Sequence, residues 1–408
     1  MDDDGAPSAF RADRRGVLKD LVVLAAAAPL AGCSSGTRAP PGQQRSAVPR
    51  SPARTGPSPS PARTGPSSRS PAPARLSSRQ LAGQRVVFSY SGLTVPSALL
   101  EQITAGAAAG VIFFGGNISS QAQIASVIGQ LVAAQRHSPV SAPLLLMTDQ
   151  EGGQVRRLPG APVLSQRQIG QSADPAAAAS QAGTGAGQNL ASVGMNVNLA
   201  PVLDVFYTSG NFIDQYQRSY SNNAQVVTAC GQAFITAQQQ TGVAATAKHF
   251  PGLGSAARAQ DTDTGPVTLP VSLSGLRSKD EVPFPAAIAV GVQLIMVSWA
   301  IYPALDAAYP AGLSPAVVHG ELRGRLGYQG VTITDALEAG ALGAFGSYGQ
   351  RAVLAVQAGM DLLLCSAQDP AEGQAVTSAL ASALDSGQLD PATFNAAVQR
   401  VTALRNLH

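Results

Sequence analysis

The chain has 408 residues, 45% of them hydrophobic and 12% charged, with only three cysteines. That is long enough for one large domain and too poor in cysteine for a disulfide framework or a zinc site. The formal charge of +3 is unevenly spread: residues 1–33 carry −1 and residues 34–75 carry +7 through seven arginines, which leaves about −3 for residues 76–408. The basic character therefore lies outside the foldable part, and nothing in that part supports nucleic-acid binding.

The N-terminus reads as an address rather than a domain. Asp13-Arg14-Arg15-Gly16-Val17-Leu18-Lys19 is close to a twin-arginine export signal. The apolar stretch that follows, residues 21–30, is too short to span a bilayer and suits a signal-peptide core. It ends Leu30-Ala31-Gly32-Cys33, a lipobox-like sequence in which acylation of Cys33 would anchor an exported protein to the membrane. The alternative is an ordinary signal peptide with an incidental cysteine. Residues 34–75 are rich in Ser, Pro, Ala and Arg and lack acids, and Ser-Pro-Ala-Arg-Thr-Gly-Pro-Ser occurs twice, at 51–58 and 60–67. Too little apolar surface is available there to offset chain entropy, so the expectation is a disordered tether that can lie on an anionic envelope.

From residue 76 onward, short apolar runs alternate with Ala-rich helical stretches. Strands are predicted at 85–90, 110–114, 144–148, 195–200, 243–248, 294–298, 331–334 and 361–365. Helices are predicted at 122–135, 176–193, 224–240, 284–290, 315–326, 349–358 and 371–386. Eight such runs, several apolar throughout, predict an α/β fold, a (β/α)8 TIM barrel as a single domain over residues 76–408. A doubly wound open sheet would give a similar string; polar residues clustering after nearly every strand favour the barrel. Cys230 and Cys365 read as small buried hydrophobes.

Those polar clusters carry the chemistry. The third strand runs into Asp149-Gln150-Glu151-Gly152-Gly153-Gln154-Val155-Arg156-Arg157, where paired glycines let backbone approach a ligand. Asp149 can accept from two hydroxyls and Arg157 can donate as a planar fork, unless the two simply pair with each other. After the fourth strand come Asn196-Val197-Asn198-Leu199-Ala200-Pro201-Val202-Leu203-Asp204 and then Arg218-Ser219-Tyr220-Ser221. The loop between them bears Tyr207, Phe212 and Tyr216, rings that can stack on a ligand or cover the barrel rim. The fifth strand ends in Lys248-His249-Phe250-Pro251-Gly252-Leu253-Gly254, followed by a segment that reads as mobile and holds Asp261 and Asp263. The sixth leads to Trp299, a stacking platform or packing. The seventh ends at Asp335, either a nucleophile or the N-cap of the next helix.

These motifs resemble glycoside hydrolase family 3, in particular its β-N-acetylhexosaminidase branch, over about residues 80–365. Asp-Gln-Glu-Gly-Gly-x-Val-x-Arg, Asn-x-x-Pro-Val-x-Asp, Arg-Ser-Tyr-Ser, Lys-His-Phe-Pro-Gly and Gly-Val-x-x-Thr-Asp are all matched. The resemblance implies retaining hydrolysis of a terminal β-linked N-acetylglucosamine, such as one from cell-wall fragments, through a covalent glycosyl ester on Asp335. It implies that Asp149, Arg157, Arg218, Lys248 and His249 bind sugar hydroxyls. No metal and no organic cofactor is called for, because two carboxyl groups suffice.

One departure matters. The branch carries Asp-(Ser/Thr)-His on the loop after the fifth strand, the histidine serving as acid/base, whereas this chain reads Asp261-Thr262-Asp263 on a loop two residues longer. Leu253 also replaces a histidine. The chain's four histidines are His137, His249, His319 and His408, and none is placed to substitute. The acid is therefore Asp263, Asp261 or absent. If it is absent, the chain becomes a catalytically weakened sugar-binding lipoprotein that recognises cell-wall glycan. Phosphorolysis is a third reading, disfavoured because an anionic phosphate tolerates a carboxylate acid/base less well than a histidine.

Overall fold

The computed structural model describes residues 76–407. The expected signal peptide, the lipobox at Cys33 and the tether lie outside the described residues.

The eight predicted strands are all present: β1 (Val86–Phe88), β2 (Gly110–Ile112), β3 (Leu145–Thr148), β4 (Val197–Asn198), β5 (Ala244–Phe250), β6 (Leu294–Val297), β7 (Val331–Ala336) and β8 (Leu362–Leu364). Each pairs in parallel with its sequence neighbours, and β8 returns to β1 through Val86–Leu363 and Val87–Leu364, so the sheet closes. Closure excludes the doubly wound alternative. All seven predicted helices form within one or two residues of their expected bounds; residues 315–326 appear as a wider-wound segment, Ala316–Arg325.

Strand alternation sorts the side chains. Val87, Ile112, Leu145, Met147, Val197, Leu199, Leu294, Met296, Val331, Ile333 and Leu364 fill the barrel interior, while Val86, Phe88, Val111 and Leu146 face the helical ring. The described helices outside the predicted set include Ser97–Thr104 and Pro391–Arg405. The second seals the barrel floor: Val401 and Leu404 join the interior cluster, and buried Arg405 donates to the carbonyls of Pro143 and Ala142 at 2.5 and 2.6 Å. This helix closes the amino end of the barrel, and active sites of such barrels lie at the opposite, carboxyl end of the strands. Cys230 and Cys365 are buried and unpaired, as expected.

Candidate active site

The alternation that packs the interior also aims the polar residues. On β5 the inward series runs Ala244, Thr246, Lys248; on β3 it runs Leu145, Met147, Asp149; on β7 it runs Val331, Ile333, Asp335. Each chemically useful side chain is thus the next inward position beyond the hydrophobic layers, at the carboxyl end of its strand.

There Lys248 Nζ lies 2.7 Å from Asp149 Oδ1 and 2.8 Å from Glu151 Oε1. Arg218 grips the same Glu151 in fork geometry, at 2.9 Å through Nε and 2.8 Å through Nη2. Burial on its own would raise the Asp149 carboxyl, but Lys248, Arg157 and Arg218 outweigh it and hold Asp149 well below the usual carboxylate range. Glu151 is lowered in the same way, burial being overcome by Arg218 and Lys248. Asp149 therefore pairs with Lys248 and not, as one sequence reading allowed, with Arg157. Arg157 donates its backbone N–H to the Asp149 carbonyl at 3.2 Å and adds its charge to the field at Asp149, while its buried Nε has no hydrogen-bond partner among the described residues.

His249 sits beside this network, its Nδ1 2.7 Å from Asp204 Oδ2. The other Asp204 oxygen accepts from the backbone N–H groups of Leu253 at 2.7 Å and His249 at 3.3 Å. In the neutral tautomer that donates Nδ1–H to this carboxylate, Nε2 is the acceptor. Asp204 and Glu151 were both quoted in sequence motifs without a role. Their partners arrive from β5 and from Arg218, beyond the reach of local spacing. An acid two residues after Asp149, following a strand, was the one available signal for Glu151.

The nucleophile candidate Asp335 is half-buried, and its Oδ1 accepts from the Ala336 N–H at 2.8 Å. It is a strand residue; the helix after it, Tyr348–Ala358, is capped by Ser347, so the N-cap alternative falls. Asp261 and Asp263 are also half-buried, and Asp261 Oδ1 accepts the Asp263 N–H at 2.9 Å. That bond gives Asp261 a turn-forming part.

One sequence expectation is corrected here, and two open alternatives close. The acid-bearing loop is not left loose: it hydrogen-bonds to the loops after β4, β6 and β7, for example Leu269 N–H to Ile301 O at 2.9 Å and Gly340 N–H to Asp263 O at 2.9 Å. Trp299 is no stacking platform, because it is fully buried with Nε1 donating to Ala336 O at 2.8 Å. Of the rim aromatics, Phe212 is buried edge-on to Tyr216, and the Tyr207 ring already faces Lys279 Nζ at 3.8 Å while its hydroxyl donates to Asp280 at 2.7 Å. Phe212 and Tyr207 cover the rim.

A closed parallel barrel collects carboxylates, a lysine and the fork-held Arg218 at its strand ends, and comparison with known proteins gives the family. The profile described as "Glycosyl hydrolase family 3 N terminal domain" matches residues 79–404, so the chain belongs to glycosyl hydrolase family 3. An "Uncharacterized secreted glycosyl hydrolase" of Arthroderma benhamiae is 47% identical over 327 residues, covering 80% of this chain and 92% of that protein. A "Beta-hexosaminidase" of Stenotrophomonas maltophilia is 33% identical, covering 63% of this chain and 76% of the relative. Among solved structures, a family 3 β-N-acetylglucosaminidase from Paenibacillus superposes with a TM-score of 0.77 at 36% identity, covering 82% of this chain and 63% of its own. A β-N-acetylhexosaminidase from Beutenbergia cavernae gives 0.74 at 33% identity, covering 82% of this chain and 99% of its own.

Proposed function

We propose that this glycosidase is an exported β-N-acetylhexosaminidase that removes terminal β-linked N-acetylglucosamine with retention of configuration. The observation that carries the reading is the coincidence, at one end of one barrel, of Asp335 with the Lys248–Asp149, Lys248–Glu151 and Arg218–Glu151 pairs. Asp149, Arg157, Lys248 and His249 Nε2 offer acceptors and donors for sugar hydroxyls, and Arg218 holds Glu151 so that Lys248 keeps its place. In the first step an Asp335 oxygen bonds to the anomeric carbon, the glycosidic C–O bond breaks, and protonated Asp263 gives its proton to the departing oxygen. In the second, water attacks the anomeric carbon, Asp263 takes the water's proton, and Asp335 leaves as carboxylate. Residues 13–33 supply the export signal, and acylation at Cys33 would hold the enzyme at the envelope, with residues 34–75 as its tether.

Hydrolysis of an aryl N-acetyl-β-glucosaminide followed by proton NMR tests the reading. The first-formed sugar is expected to be the β-anomer; the α-anomer first would contradict it. The second reading, a sugar-binding lipoprotein, is motivated by Asp263 standing where relatives of the branch have histidine. It predicts sugar binding without turnover even of activated aryl glycosides.

A further inference from the structure

The loop after β5, residues 251–270, is stitched along its length to its neighbours. On its first limb the Gly254 carbonyl accepts from Tyr207 N–H at 2.8 Å and from Asn211 Nδ2 at 2.7 Å, and the Ala256 carbonyl accepts from Phe212 N–H at 3.2 Å. On its last limb, Leu269 N–H donates to Ile301 O at 2.9 Å and Ile301 N–H donates to Val267 O at 2.8 Å. At its tip, where Asp261 and Asp263 sit, the contact is with the loop that leaves β7. Gly340 N–H donates to Asp263 O at 2.9 Å, and Ala341 N–H donates to Thr262 O at 3.0 Å. Thr262 is buried by this contact, although the two acids on either side of it are not fully covered.

The contact demands a glycine. A Cβ at position 340 would lie 2.6 Å from both the C and O atoms of Thr264 and 2.9 Å from Gly265 N. All are backbone atoms, so no side-chain rotation relieves the clash, and the acid loop must lift. Gly340 stands five residues beyond Asp335 on the same strand–loop unit. The two hydrogen bonds therefore fix the acid's backbone against the segment that carries the nucleophile.

We infer that Gly340 is a positioning residue for the acid/base: it sets the distance between Asp263 and Asp335, so that the acid is in place before substrate arrives and without loop closure. The inference rests on the assignment of Asp263 as acid/base made above. Separation matters in this chemistry, because a retaining pair works at about 5–5.5 Å, and a misplacement near 1 Å can cost about 10²-fold in rate.

The test is a leaving-group series. Wild type, Gly340→Ala and Asp263→Asn are compared on aryl N-acetyl-β-glucosaminides from dinitrophenyl to phenyl, with rates normalised to the molecules labelled by a fluorinated aryl glycoside inactivator, so that only folded sites are counted. Gly340→Ala is expected to lose about 10²-fold on the phenyl substrate and little in the glycosylation step on the dinitrophenyl one, which needs no proton. It should thus steepen the leaving-group dependence in the manner of Asp263→Asn. Its acidic-to-basic rate profile should also lose the limb that Asp263→Asn loses. An equal loss on every leaving group marks Gly340 as merely structural and overturns the inference. A flat dependence for Asp263→Asn itself overturns the acid assignment and the inference with it, a result separable from the first because it appears in the carboxylate variant.

Discussion

The indole Nε1 of Trp299 donates to the carbonyl of Ala336 across 2.8 Å, and Ala336 follows directly on Asp335. The ring is wholly buried, with Gly312 so close that a Cβ there would lie 2.5 Å from it. Trp299 thus braces the end of β7 from behind the cleft. Trp299→Phe keeps most of the packing but leaves the Ala336 carbonyl with the Ala339 N–H at 3.2 Å alone, an expected cost of about 0.5–1.5 kcal/mol for the lost hydrogen bond. Denaturant unfolding measures that loss; the sugar's KM should change far less than kcat, because the residue touches β7 and not the ligand.

Lys248 is 2% exposed and shared between two carboxylates. Lys248→Met leaves half-buried Asp149 without its ion pair and buried Glu151 with Arg218 alone, and breaking a buried pair from one side typically costs about 3–5 kcal/mol. Equilibrium unfolding should register a loss of that order, together with a raised KM. A variant as stable as wild type would show that the arginines suffice.

Much of this was legible in the sequence, for a physical reason. Strands covered on both faces must be apolar throughout, so all eight stood out, and period-two alternation then carries Asp149, Lys248 and Asp335 to the same end. The illegible part is what one strand does to another. Glu151 meets Arg218, and Asp204 meets His249, across dozens of residues of chain. Trp299 shows the same limit: its place after β6 allowed a platform or packing, and its burial against Ala336 and Gly312 decides for packing. The helix Pro391–Arg405 was missed because its role, plugging the barrel floor with Val401 and Leu404, leaves a weakly amphipathic pattern.

Asp280 links the rim to the turn after β5, accepting from the Tyr207 hydroxyl at 2.7 Å. Burial pushes its carboxyl up to about 7, with the Tyr207 hydrogen bond opposing and Asp204 adding to the rise. Burial also raises Glu281 and Glu372 to about 8, reinforced by Glu321 and Glu338 respectively. Unfolded carboxyls titrate near pH 4, so between about pH 4 and 8 the folded state keeps protons that the unfolded state has released, and stability falls as pH rises. The lowered Asp149 and Glu151 act only below that window. His319 acts against the trend near pH 6.5, since burial and Arg323 push its pKa down. The melting temperature is expected to be higher at pH 5.5 than at pH 8.5. Asp280→Asn keeps an acceptor for Tyr207 and should reduce the stability lost across this pH window by at most about 4 kcal/mol, which flattens the slope. An unchanged slope would show that Asp280 is ionised in the fold.

The central claim is that Asp335 forms a covalent bond to the sugar. Its most direct test is intact-mass spectrometry of the protein mixed with a fluorinated aryl β-glycoside inactivator, followed by peptide mapping, for wild type and Asp335→Asn. One glycosyl adduct on wild type, mapped to the peptide containing Asp335 and missing from the variant, is the predicted result. No adduct on wild type, or an adduct that persists in Asp335→Asn, would contradict it.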